Sequence, residues 1–216
     1  MKLYHITMLA AILAAAPAIA QDEEIQRIPI EISAQANLYF HEITDTAMVR
    51  GGAGVPPIEI DIRGVKMITF EDAEGTVSCF GDFDSTYFGA DGGAYGQKTD
   101  IAERGALSGI KHNKKVMFVT GVMISEYSRL DPPYPADDYT DRENYEELYP
   151  SFNQVFFVGD GKNAKGAQQR ILVRDDATTL YIGFADCLQG PAANYRDNKG
   201  TIKMTVVLYR SGKGRG

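Results

Sequence analysis

The stretch Thr201-Ile202-Lys203-Met204-Thr205-Val206-Val207-Leu208-Tyr209 decides the fold class. Side chains of a β-strand point alternately to its two faces. Ile202, Met204, Val206 and Leu208 therefore share one face, and Thr201, Lys203, Thr205, Val207 and Tyr209 the other. One apolar and one mixed face predict a half-buried strand in an antiparallel sheet. Upstream, Leu180-Tyr-Ile-Gly-Phe-Ala185 reads as a second strand. Further short alternating or apolar runs are Ile28-Pro-Ile-Glu-Ile-Ser33, Ile58-Glu-Ile-Asp-Ile62, Val65-Lys-Met-Ile-Thr-Phe70, Val116-Met-Phe-Val-Thr120, Val155-Phe-Phe-Val158 and Arg170-Ile-Leu-Val173. Turn-forming clusters such as Arg50-Gly-Gly-Ala-Gly-Val-Pro-Pro57 and Gly159-Asp-Gly-Lys-Asn-Ala-Lys-Gly166 bound them. Past the first 20 residues no segment sustains a helical period. About eight strands with long loops predict an all-β, antiparallel jelly-roll β-sandwich rather than an immunoglobulin-like one, although periodicity by itself does not separate the two.

The first 20 residues read differently. Lys2 precedes an apolar run from Ile6 to Ala16, and Ala18-Ile19-Ala20 precedes Gln21-Asp-Glu-Glu. That order predicts a secretory signal peptide cleaved after Ala20, and hence a secreted or periplasmic protein. The run is too short for a membrane span. Loss of Lys2 would leave 21 basic against 29 acidic residues, a net charge of −8, which argues against nucleic acid or anionic lipid as partner. Residues 21–210 are long enough for one sandwich with its own core, with 211–216 as a tail. Two long loops stand out. Residues 79–105 are rich in Gly and Asp. The 126–150 insertion is acidic and carries prolines and the tyrosines Tyr127, Tyr134, Tyr139, Tyr145 and Tyr149. Those rings either stack on sugars or pack the loop onto the sandwich.

The connection between the last two strands carries the chemistry. Asp186 ends the first strand, and Asn194, Asp197 and Asn198 precede the second. Carboxylate, amide and carbonyl oxygens at both ends of one loop suit Ca²⁺, a hard cation tolerant of irregular geometry. The competing reading is an ordinary hairpin whose Asp and Asn side chains satisfy turn amides. The two cysteines, Cys79 and Cys187, would be exported together, and an even pair in an oxidising compartment reads as a disulfide. Such a bridge would close a loop worth roughly 4–5 kcal/mol in the chain-entropy model. Two buried thiols are the alternative. The sequence is read as that of a non-enzyme. His41 and His112 are the only histidines after residue 20, Gly105-Ala-Leu-Ser-Gly109 lacks the spacing of a nucleophile elbow, and no phosphate loop occurs. A pair of carboxylates, as in glycosidases, arises readily by chance in so acidic a chain.

The sequence resembles the PA-IL-like (LecA-type) bacterial galactose-binding lectins, and looks closer to a broader group of exported bacterial proteins of unassigned role. The likeness spans about residues 28–209. It runs through Gly64-Val-Lys-Met-Ile-Thr-Phe70, Gly75-Thr-Val-Ser-Cys-Phe-Gly81, Gly89-Ala-Asp-Gly92, Gly105-Ala-Leu-Ser-Gly109, Val119-Thr-Gly121, Tyr181-Ile-Gly-Phe-Ala-Asp186 and Asp197-Asn-Lys-Gly-Thr-Ile-Lys-Met204. The resemblance implies a galactose-binding-domain-like jelly roll and a Ca²⁺ ion held by Asp186, the Asn194 carbonyl, the pair Asp197 and Asn198, and a carbonyl from an earlier loop, assigned to Phe80. It also implies a carbohydrate bound at the ion through Asp186, Asp197 and Asn198. A further sugar contact would come from Ala94–Asp100, where the histidine of the lectins is missing and Tyr95 or Gln97 takes its place. Asp197 stands where the lectins have Asn, and the 186–197 loop is longer than theirs. The lectins assemble into tetramers, so the resemblance also implies a homo-oligomer, although the 126–150 insertion and the C-terminal tail set this chain apart. The alternative function is a structural or envelope interaction module in which calcium only staples the loops.

Overall fold

The computed structural model describes residues 24–42, 52–79, 81, 86–128, 132–186, 189–190 and 195–211. Residues 1–20, and the sequence-predicted site residues Phe80, Cys187 and Asn194, lie outside this set.

Alternation in the C-terminal stretch becomes the strand that organises the first sheet. β14 (Lys199–Arg210) pairs antiparallel with β1 (Glu24–Ser33) along one edge and β3 (Val65–Ser78) along the other. β11 (Arg170–Leu172) and β9 (Glu147–Leu148) extend the sheet, in the order β1-β14-β3-β11-β9. Ile202, Met204, Val206 and Leu208 are buried as their shared face requires. Fully burying side chains of this size stabilises by about 1.5–3 kcal/mol each. The opposite face differs from expectation at one point, because Val207 is also fully buried. In the β3–β14 ladder Lys203 faces Glu74 and Thr205 faces Glu71, so Asp72 and Ala73 both fall opposite Met204. Asp72 takes a left-handed φ of 56° at this bulge, a conformation that Asp tolerates better than most residues.

The second sheet is built on β7 (Val116–Ser125), all ten of whose residues are buried. One edge of β7 pairs with β12 (Ala177–Ala185), which in turn carries β2 (Ile58–Asp61). β4 (Asp91–Gly93) and β10 (Val155–Phe157) pair with β7 as well, at residues 116–118 and 120–122. Buried side chains of both sheets, among them Ile202, Val206, Val122 and Phe184, belong to one hydrophobic cluster, as in a β-sandwich. A third, small sheet has the order β13-β5-β6-β8, formed by β5 (Thr99–Ile101), β6 (Ile110–His112), β8 (Asp137–Asp138) and β13 (Gln189–Gly190). Its β5 and β8 lie in the two segments read from sequence as long loops, 79–105 and 126–150.

Candidate functional site

Residues 33–37 bring the two ends of the predicted metal loop together. The Ala34 amide donates to Gly200 O at 3.0 Å, and the Phe184 amide donates to Ala36 O at 2.9 Å. This crossing segment thus ties the start of β14 to the end of β12. Asp186 follows Phe184 by two residues, and Asn198 precedes Gly200 by two. From the loop itself, the buried Tyr195 donates its hydroxyl to Phe184 O at 2.8 Å, fixing the short 3-10 turn Tyr195–Asp197 against β12.

Both key side chains are buried, Asp186 at 2% exposure and Asn198 at 1%. Asn198 donates from Nδ2 to Ala34 O at 3.1 Å, which fixes the orientation of its amide. Its Oδ1 is sealed from solvent and accepts no hydrogen bond. Leaving a buried oxygen so typically costs about 1–3 kcal/mol. Gln35 closes the outside of this corner, donating from Nε2 to Arg196 O and Asn198 O. Asp197 is exposed. A methyl group on Gly81 would come within 2.5 Å of Asp197 O, so Gly81 packs directly on the backbone of the loop. Gly81 has a φ of 54°, in the left-handed region that glycine enters without steric cost. Among the described residues no three His, Cys, Asp or Glu side chains cluster as metal ligands.

The stretch predicted to meet a sugar is tethered here too. Thr99 Oγ1 lies 3.1 Å from Asp186 O and 3.2 Å from Lys115 O, sharing one proton between two carbonyls. Gln97, two residues earlier, is exposed, and Tyr95 is half-buried with its ring edge-on to Phe88 at 6.3 Å. Cys79 is a buried free thiol. The tyrosines of the 126–150 insertion divide. Tyr139 is buried and Tyr145 donates its hydroxyl to Phe157 O at 2.7 Å, whereas Tyr127, Tyr134 and Tyr149 are exposed. The packing reading therefore holds for Tyr139 and Tyr145.

A second polar cluster was not legible in the sequence. Buried His112 holds Nε2 3.0 Å from Glu143 Oε2, while Nδ1 accepts the Lys114 amide at 3.2 Å, an arrangement that puts a proton on Nε2. Lys115 Nζ reaches the same Glu143 oxygen at 2.6 Å. Asp91 faces the same cavity of about 110 Å³ and accepts the Asp160 amide at 2.8 Å. Burial pushes the Asp91 carboxyl above its ordinary value. The Asp160 amide and Lys115 oppose the shift, and the charges of Asp160 and Glu143 add to it. Asp91, His112 and Glu143 come from three separate segments, so no spacing marks them. The only local signal is Gly92 beside Asp91, with φ 66° and room for no side chain against Val116 O.

No protein-family model, curated protein or solved structure matches this chain.

Proposed function

We propose that this chain is an exported, non-catalytic, calcium-dependent carbohydrate-binding protein of lectin type, with a jelly-roll arrangement of its sandwich. The observation that carries the reading is the Asn198 side-chain oxygen, sealed from water without a hydrogen bond, at the same corner as the buried acid Asp186. Hard oxygens held out of water suit Ca²⁺. Asp186 and Asn198 would contribute side-chain oxygens, and Asp197, Asn194 and Phe80 would complete the shell. When bound, the ion would supply coordination positions for vicinal sugar hydroxyls. Gln97 and Tyr95, on the stretch tethered by Thr99, would contact the rest of the ring. A bridge between Cys79 and Cys187 would anchor the same corner after export, and assembly into a homo-oligomer would add avidity to shallow sites.

The test is a glycan array probed with the mature protein in millimolar calcium and in EGTA. Binding in calcium that weakens sharply in chelator and in Asp186→Ala is expected, with Gln97→Ala reducing glycan binding but not calcium affinity. Glycan binding indifferent to the chelator would separate the sugar from the ion. Calcium stabilisation with no glycan signal would leave a structural module.

A further inference from the structure

We propose a second carbohydrate subsite, independent of the ion, in the groove between β5, β6 and the Pro133–Ala136 strap. It takes from the preceding reading only the ligand class, a neutral glycan. The groove encloses about 450 Å³ and is lined by Tyr134, Asp100, Glu103 and Lys111 among others, a size within the usual range of small-molecule sites.

The chemistry is that of a pyranose ring, which offers an apolar C–H face and a rim of hydroxyls able both to donate and to accept. Tyr134 supplies the flat apolar partner and is 46% exposed. Its ring makes no aromatic or cation contact among the described residues. By contrast Tyr149, also exposed, has its face covered by the Arg174 guanidinium at 4.4 Å. Asp100 is held by Lys98 Nζ at 3.2 Å and Lys111 Nζ at 3.6 Å, and Glu103 lines the groove beside it. The lining carries two acids and one lysine, and Lys98 neutralises Asp100 from beside it, so the charges nearly balance and the site favours a neutral polar ligand over an ion. Carboxylates accept from sugar hydroxyls and ammonium groups donate to them.

The platform is pre-organised. Pro133 and Pro135 fix their own φ, and Pro135 confines Tyr134 to extended backbone, so little conformational freedom remains to be lost on binding. The strap is docked at its far end: β8 pairs in parallel with β6, Ile110 facing Asp137 and Lys111 facing Asp138. Asp137 is further held by Gln154 at 2.7 Å and Arg142 at 3.0 Å. Gly109 allows this approach, because a methyl group there would come within 2.9 Å of Ala136 Cβ. Asp100 faces the groove and its neighbour Thr99 touches Asp186 O. Successive side chains of a strand point to opposite faces, so the groove lies on the face of β5 away from the proposed ion site and acts separately from it.

The experiment is ligand-observed NMR with the mature protein and a panel of lactose, cellobiose, maltotriose, xylotriose and N,N′-diacetylchitobiose, in calcium and in EGTA. At least one saccharide is expected to bind in both conditions. Tyr134→Phe should keep the affinity and Tyr134→Ala should lose about tenfold, the scale of an aromatic anchor, with an unchanged melting temperature. Absence of binding by every saccharide in EGTA, or equal binding by Tyr134→Ala and wild type, overturns the groove. Binding that survives EGTA and Asp186→Ala but falls in Tyr134→Ala supports the groove while removing the ion from recognition. Binding lost in EGTA and untouched by Tyr134→Ala does the reverse.

Discussion

Asp91 shows how a single residue sets a pH response. Its carboxyl is buried beside Asp160 and Glu143 and titrates above the ordinary value near 3.9. A raised folded-state pKa means that the neutral form is favoured by folding. The stabilisation is fully present below the unfolded value and is lost as pH rises through the folded one. At pH 7 the wild type therefore carries the cost of an ionised, half-desolvated group. Asp91→Asn preserves the oxygen that accepts the Asp160 amide and should melt higher than wild type at pH 7, with the difference shrinking towards zero below about pH 3.9. A lower melting temperature for Asp91→Asn at pH 7 would show that the charge is compensated by Lys115. At this scale the sequence was only partly legible. Asp186 and Asn198 were identifiable because both flank one loop, whereas Asp91 and Glu143 share a cavity, and His112 and Glu143 pair, only through the packing of separate segments.

Elements explain why the candidate corner is rigid on its β12 side. Tyr195 spans the loop with one buried hydroxyl bond to Phe184 O, and Tyr195→Phe leaves that carbonyl short of a donor. The expected loss is about 1 kcal/mol in chemical denaturation, with calcium affinity reduced as well because Asn198 follows directly on the same turn. An unchanged stability would mean that the hydroxyl bond is replaced by water. Long alternating strands were readable from their own residues: β1, β3, β7, β12 and β14 all occur where the pattern places them. The short strands β4, β5, β6, β8, β9 and β13 were not, because two or three residues carry no period and their pairing is dictated by neighbours. Val207 illustrates the same limit. Its burial on the outer face of β14 does not follow from its place in the alternation.

For the whole molecule, the fold ties the 94–100 stretch to Asp186 through Thr99 and sets Gly81 against the backbone of Asp197 just before β14. The all-β class followed from patterning alone, since alternation with bounding turns leaves few other ways to bury half of each strand. Asp186 and Asn198 were legible as candidate ligands, but the crossing segment 33–37 that links the ends of β12 and β14 was not, because it carries no candidate ligand of its own. The central claim is that this corner is a calcium site. The most direct test is thermal unfolding of the mature protein in EGTA and in calcium at about 100 times its dissociation constant. Linkage predicts ~2.7 kcal/mol of added stability, a rise in melting temperature of about 5–10 °C, abolished in Asp186→Ala. Identical melting curves in calcium and chelator would contradict the account and leave Asp186 and Asn198 as parts of an ordinary buried turn.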